Sequence, residues 1–145
     1  MYTKTFDQLT KDELYALLKL RQQVFIVEQA SIYSDLDDYD QQAIHFLESD
    51  PPDHLIAYAR YRKVLQSDEV KIERVVLAAQ ARGLGLGKSL IVAILKDIKG
   101  AYPEAKITLS SQIDASEFYQ RLGFVEFGEK YDDGGIMHIG MVYQA

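Results

Sequence analysis

The stretch from Lys71 to Gly100 restricts the fold of this chain more than any other. A β-branched run containing Ile72, Val75 and Val76 is followed by Gly83, Gly85 and Gly87, and then by Leu90, Ile91, Ile94, Leu95 and Ile98 at helical spacing. The order is strand, glycine loop, helix. Glycines lack a Cβ and let successive backbone N–H groups turn inward, while a helix N-terminus adds unpaired N–H groups and the positive end of the helix dipole. Such a turn suits an anion, phosphate above all.

Two phosphate-binding patterns do not fit. A Walker loop needs glycine at position 82, where this chain has Arg82, so Gly87-Lys88-Ser89 is a chance echo. A dinucleotide fingerprint begun at Gly83 needs its third glycine at Lys88, and one begun at Gly85 needs it at Leu90. What stands is Arg82-x-x-Gly85-x-Gly87.

The flanking sequence sets the fold class. Tyr2 to Asp7 alternates as a first strand. Thr10 and Glu13 form a capping box that opens a helix through about Val27, its apolar stripe interrupted by Arg21. Glu28 to Gln42 is an acidic ordered loop with room for a helical turn. Strands at 43–48 and 55–64, joined by a turn over Asp50-Pro51-Pro52-Asp53, continue through Gln66-Ser67-Asp68 into the strand Val70 to Leu77 as an antiparallel meander. Beyond the long helix come a strand at Lys106 to Ser110 and a helix from a capping-box-like Asp114 and Glu117 to about Leu122. Strands at Phe124 to Tyr131 and Ile136 to Tyr143 then flank the turn Asp132-Asp133-Gly134-Gly135. The crossover from Val70 to Lys106 demands a parallel pair and the meander demands antiparallel ones, so the class is α/β (an α+β mixed sheet) of about seven strands flanked by helices, one domain over 1–145.

Composition narrows the function. With no cysteine there is no catalytic thiol, thiolate metal site or disulfide, and the acidic loop lacks the glycine and glutamate a calcium site needs, so no metal is expected. The net charge of −6 argues against nucleic-acid binding. Met1 to Asp7 has no apolar run of signal type and no stretch is long enough to span a membrane, which points to a cytoplasmic protein.

Arg82-x-x-Gly85-x-Gly87, after a strand and before an amphipathic helix, resembles the pyrophosphate motif of the GNAT superfamily of acyl-CoA-dependent N-acyltransferases. Phe118-Tyr119-Gln120-Arg121-Leu122-Gly123-Phe124 resembles the later motif of that superfamily, a Tyr-bearing helix ending in Gly-Phe and a strand. Leu20-Arg21-x-x-Val24-Phe25-x-Val27-Glu28-Gln29, Tyr33-x-Asp35, the Asp40 to His45 segment and Asp133-Gly134-Gly135-Ile136-Met137-His138 are similar to the ElaA-like subgroup.

The resemblance implies a GNAT-like fold and transfer of an acetyl group from acetyl-CoA to a primary amine, on a small molecule or peptide, by direct attack. It also implies site residues. Arg82, Gly83, Leu84, Gly85, Leu86, Gly87 and Lys88 would hold the pyrophosphate, while Val75, Val76 and Leu77 would bind the pantetheine arm and the thioester oxygen. Gln112 would face CoA, and Tyr119 would stand where a general acid acts on the departing thiolate. A phenol of pKa about 10 protonates a thiolate of about 8.5 only with help from its surroundings. An alkylammonium of about 10.4 must lose a proton before attack. Glu73 is the first candidate base, since period two places it on one face with Val75 and Leu77 and an ordinary ion pair with Arg74 is the competing reading. His138 is the second and His45 the third. Arg21, Glu28, Tyr33 and His45 are candidates for the acceptor side, with Arg21 paired to Glu28 or binding an acidic group. A non-catalytic CoA-binding module is the alternative function, a synthase using a different acyl donor ranks below it, and a homodimer is left open.

Overall fold

The computed structural model describes residues 1–50 and 54–144. The Pro51-Pro52 turn lies outside the described residues. A seven-stranded mixed sheet runs in the order β1-β2-β3-β4-β5-β7-β6. Its strands are β1 (Tyr2–Thr5), β2 (Ile44–Asp50), β3 (His54–Lys63), β4 (Glu69–Leu77), β5 (Lys106–Gln112), β6 (Phe124–Asp133) and β7 (Ile136–Tyr143). Helices α1 (Lys11–Arg21), α2 (Leu86–Ala101) and α3 (Ser116–Gln120) flank it. Among the described residues only β4 and β5 pair in parallel, as the crossover through α2 requires.

Each helix follows from its sequence. In α1 the capping box is formed: Thr10 Oγ1 accepts the Glu13 N–H at 3.0 Å, and Glu13 Oε1 accepts the Thr10 N–H at 2.8 Å. The helix widens into a π-helical segment over Gln22–Glu28. Leu90, Ile91, Ile94, Leu95 and Ile98 bury the inner stripe of α2 against Ala59, Ile72, Leu109 and Met141. On the opposite face of the sheet, Leu17, Leu20 and Val24 pack against Leu47, Tyr58 and Val76. The second capping box does not form. The chain takes a 3-10 turn over Ile113–Ala115, which puts Asp114 inside the turn and leaves Ala115 at the N-cap. Asp132-Asp133-Gly134-Gly135 makes the expected hairpin, with positive φ at both glycines and Asp132 Oδ1 accepting the Gly135 N–H at 3.0 Å.

Two irregularities open the sheet. The β4–β5 ladder runs from Glu69↔Lys106 to Ile72↔Leu109 and stops, although β4 continues to Leu77 and β5 to Gln112. Between β3 and β4 the register jumps from Tyr58↔Val76 to Arg60↔Glu73, with Arg74 in the left-handed region at φ 58°. An extra residue on β4 is a β-bulge, which sharpens the local twist. Past Ile72, β4 therefore bends and leaves its β5-facing edge without a strand partner.

Candidate functional site

The split between β4 and β5 is a slot through the sheet, and the glycine loop follows directly from its β4 side. Gly83 and Gly85 have φ of 79° and 81°, a conformation costly for other residues, and open space lies where a Cβ would project. Gly85 is the N-cap of α2, and the first intrahelical backbone bond is Ser89 N–H to Gly85 C=O at 3.1 Å. The N–H groups of Leu86, Gly87 and Lys88 thus have no partner inside the helix. Lys88 is exposed in this first turn. Gly87 differs: a Cβ there would make ordinary van der Waals contact with Phe118 at 3.4 Å and Leu77 at 3.8 Å, so the packing of α2 against α3 and β4 does not itself require glycine.

Arg82 is already engaged. Its guanidinium donates to both carboxylate oxygens of Glu28, at 2.7 and 3.1 Å, and to the Leu77 carbonyl at 3.0 Å. The neighbouring Gln29 accepts from Gln112 Nε2 at 2.9 Å. Glu28 and Gln29 therefore touch the β4 side and the β5 side of the slot in turn. Ser31 continues the wall by donating to the Gly134 carbonyl at 2.6 Å, tying this loop to the β6–β7 hairpin.

Tyr119, on α3, packs on the same face of the sheet as α2. Its ring packs edge-on to Phe118 and Phe124, at centroid distances of 5.0 and 5.8 Å. Burial pushes the phenol pKa up, so it stays protonated. Its hydroxyl has no hydrogen-bond partner among the described residues and is not among the sealed polar atoms. His138 lies on the other face. It alternates with the core residue Ile139, pairs in register with Gln112 on β5 and Tyr131 on β6, and stacks on the Tyr131 ring at 6.0 Å.

The bulge overturns the period-two placement of Glu73. Ile72 faces the α2 core and Glu73 the other face, but beyond Arg74 the alternation inverts, and Val75 and Leu77 return to the α2 side. Glu73 accepts from Arg62 Nε at 2.7 Å and from Arg60 Nη2 at 3.1 Å, and its ion pairs are with these arginines rather than with Arg74.

The acidic loop was the least anticipated feature. Arg21 is fully buried, donating to Asp35 Oδ2 and Asp40 Oδ1 at 2.8 Å each, so its partner is not Glu28 and no acidic substrate group can reach it. Arg60, equally buried, bridges Asp37 and Asp40 at 2.5 Å each. Arg74 joins Asp35 and Asp37; its Nε lies 2.9 Å from Asp35 Oδ1 as an ion pair but is not aligned as a hydrogen bond. Burial raises the Asp37 and Asp40 carboxyls, yet the hydrogen bonds and charges of the arginines outweigh it and hold both below the usual range. Tyr33 donates to Asp35 Oδ1 at 2.7 Å and belongs to the same network. His45 is also structural. Its Nε2 bonds the Asp40 carbonyl at 2.9 Å and its Nδ1 the Tyr58 hydroxyl at 2.6 Å, and burial lowers its pKa. Arg60 and Arg62, alternating within a strand otherwise rich in core residues, are with Arg21 on its apolar stripe the sequence signals that point to this network.

Residues 7–145 match the family model described as an acetyltransferase (GNAT) domain. Protein ElaA of Escherichia coli (strain K12) is 38% identical over 140 residues, spanning 92% of this chain and 89% of that protein. The crystal structure of Escherichia coli ElaA matches with a TM-score of 0.92 at 35% identity, over 99% of this chain and 97% of that one. An acyl-CoA N-acyltransferase from Pseudomonas aeruginosa matches with a TM-score of 0.92 at 36% identity and the same coverages, 99% and 97%. At 15% identity, where likeness speaks to the fold alone, an aminoglycoside 6'-N-acetyltransferase complexed with coenzyme A has a TM-score of 0.71 over 98% of this chain and 96% of that one.

Proposed function

The chain belongs to the acetyltransferase (GNAT) family, and on that premise we propose that it transfers an acetyl group from acetyl-CoA to a primary amine in a ternary complex. The observation that carries this reading is the β4–β5 slot opening beside the unpaired N–H groups of the glycine loop. The pyrophosphate would lie on the first turn of α2, flanked by Arg82 and Lys88, and Arg82 would exchange Glu28 for phosphate oxygens. The pantetheine arm would bond the free edge of β4 at Val75 and Leu77, where a backbone N–H is available to the thioester oxygen as negative charge develops. Val76, whose side chain packs on the α1 side, contributes backbone only.

Tyr119 acts as the acid. Its protonated hydroxyl is held on the donor side of the slot and gives a proton, or a strong hydrogen bond, to the departing thiolate. Gln112, at the end of β5, orients the reactants across the slot. The acceptor enters from the face opposite α2, bounded by Gln29, Tyr33 and the β6–β7 hairpin. Because Asp35, Asp37 and Asp40 are committed to arginines, this wall does not act as an acidic lure for a cation.

A panel of amines, polyamines, amino acids and peptides, read by release of the CoA thiol, tests the proposal. Transfer to at least one class is expected, and Tyr119→Phe should keep its acetyl-CoA affinity while turnover falls about a hundredfold. Binding of acetyl-CoA with no thiol release to any acceptor would instead identify a CoA-binding module without turnover.

A further inference from the structure

We propose that His138 is the general base of this acetyl transfer, held in the one tautomer that can accept the proton of the amine; the inference rests on the reading above and identifies the residue that reading leaves unnamed. The tautomer follows from a single contact. Nδ1 of His138 lies 2.7 Å from the backbone carbonyl oxygen of Ile136. A carbonyl only accepts, so Nδ1 carries the hydrogen and the neutral ring presents its lone pair at Nε2.

The other candidates are engaged by other groups or lie away from the slot. His45 has the opposite tautomer, Nε2–H donating to the Asp40 carbonyl, and its Nδ1 lone pair is taken by the Tyr58 hydroxyl. Glu73 has both oxygens on arginines: Oε1 accepts from Arg60 and Arg62, and Oε2 from Arg62 at 3.3 Å. His54, exposed at the start of β3, contacts Gln80. Nε2 of His138 has no partner among the described residues.

Placement agrees with the tautomer. His138 is directly opposite Gln112, and directly opposed side chains stand about 5 Å apart on the same face. Gln112 itself flanks the slot. The imidazole therefore stands one strand from the slot, on the acceptor side, whereas Tyr119 lies on the donor side: base and acid approach the thioester from opposite faces of the sheet. Stacking on Tyr131 and the Ile136 contact fix the ring plane. Tyr131 from β6 and Gln112 from β5 face it in register, and Gln29 from the loop bonds that Gln112. The charged residues flanking Tyr131 on β6 are Glu129, Lys130, Asp132 and Asp133, and on β4 Glu73 and Arg74 are engaged in ion pairs of their own.

The step balances. The neutral amine nitrogen forms the C–N bond to the thioester carbon, its proton passes to His138 Nε2, the C–S bond breaks, the CoA thiolate takes a proton from Tyr119, and return of the proton from His138 to Tyr119 through solvent restores both side chains. The products are an acetamide and CoA thiol.

The variant is His138→Asn, whose side-chain N–H can still serve the Ile136 carbonyl but has no basic nitrogen. Long-range 15N–1H NMR of the wild-type protein should show the Nδ1–H tautomer, and with an amine from the panel kcat/KM of the variant should fall about a hundredfold. Its acid limb, the rise in rate as the base deprotonates, should disappear while acetyl-CoA affinity stays unchanged. An Nε2–H tautomer, or a variant with wild-type kcat/KM and an intact acid limb, would overturn the assignment while leaving acetyl transfer in place. Failure of the wild-type protein to acetylate any amine would overturn both.

Discussion

The glycine loop and the acidic loop both concentrate groups that handle charge, yet they are built in opposite ways. Around Gly83 and Gly85 the backbone donors of the α2 first turn have no partner, and open space lies where side chains would project. In the acidic loop every carboxylate that the arginines can reach is taken: Asp35 by Arg21 and Arg74, Asp37 by Arg60 and Arg74, and Asp40 by Arg21 and Arg60. A region meant for a ligand leaves its polar groups unpaired at the surface, whereas a region meant to hold shape satisfies them inside. The two are also connected. Arg74 in a left-handed conformation is strained by about 1–3 kcal/mol, and such strain persists only where neighbours over-determine it. Asp35 and Asp37 hold Arg74, the bulge at Arg74 bends β4, and the bend opens the slot.

The contrast is broken most forcefully at Asp40. Asp40→Ala leaves two buried guanidiniums short of a counter-charge and should cost about 3–5 kcal/mol of stability, measured by urea unfolding. A loss below about 1 kcal/mol would show that this network does not hold the fold. Acid should act in the same direction more gradually. His45 has a folded pKa below its unfolded value of about 6.5, so the unfolded chain binds the proton first and stability, complete above that pH, declines as pH falls. Asp37 and Asp40, also lowered in the fold, extend the loss below about pH 4. Thermal melting from pH 8 to 4 checks the sign; a melting temperature that rises on acidification would contradict it. The smallest effect is expected at the rim. Glu28→Gln releases Arg82 from an exposed ion pair and should tighten acetyl-CoA by no more than a few-fold, with unchanged stability.

Local pattern made the cradle legible and sequence distance hid the network. The strand, the glycines and the apolar stripe of α2 are contiguous, and Thr10 with Glu13 is a local cap, so periodicity and spacing suffice for them. Arg21 finds Asp35 at a separation of 14 residues and Arg74 finds Asp37 at 37, contacts that no local pattern encodes. Glu73 was misplaced for a related reason: alternation along β4 holds only until Arg74, and the bulge there depends on side chains from the distant loop. Arg21 on an apolar stripe did announce that a charge had to be paired, though not with what.

If the unpaired donors at the start of α2 bind the CoA pyrophosphate, calorimetric titration of acetyl-CoA into wild type, Gly85→Ala and Gly85→Glu will show it. Alanine imposes the strain of a side chain at positive φ without charge, and glutamate adds a negative group at the helix N-terminus. We predict that the glutamate variant, folded by circular dichroism, binds at least about tenfold more weakly than the alanine variant, a difference of about 1.4 kcal/mol. Equal affinities for the two folded variants would contradict the account.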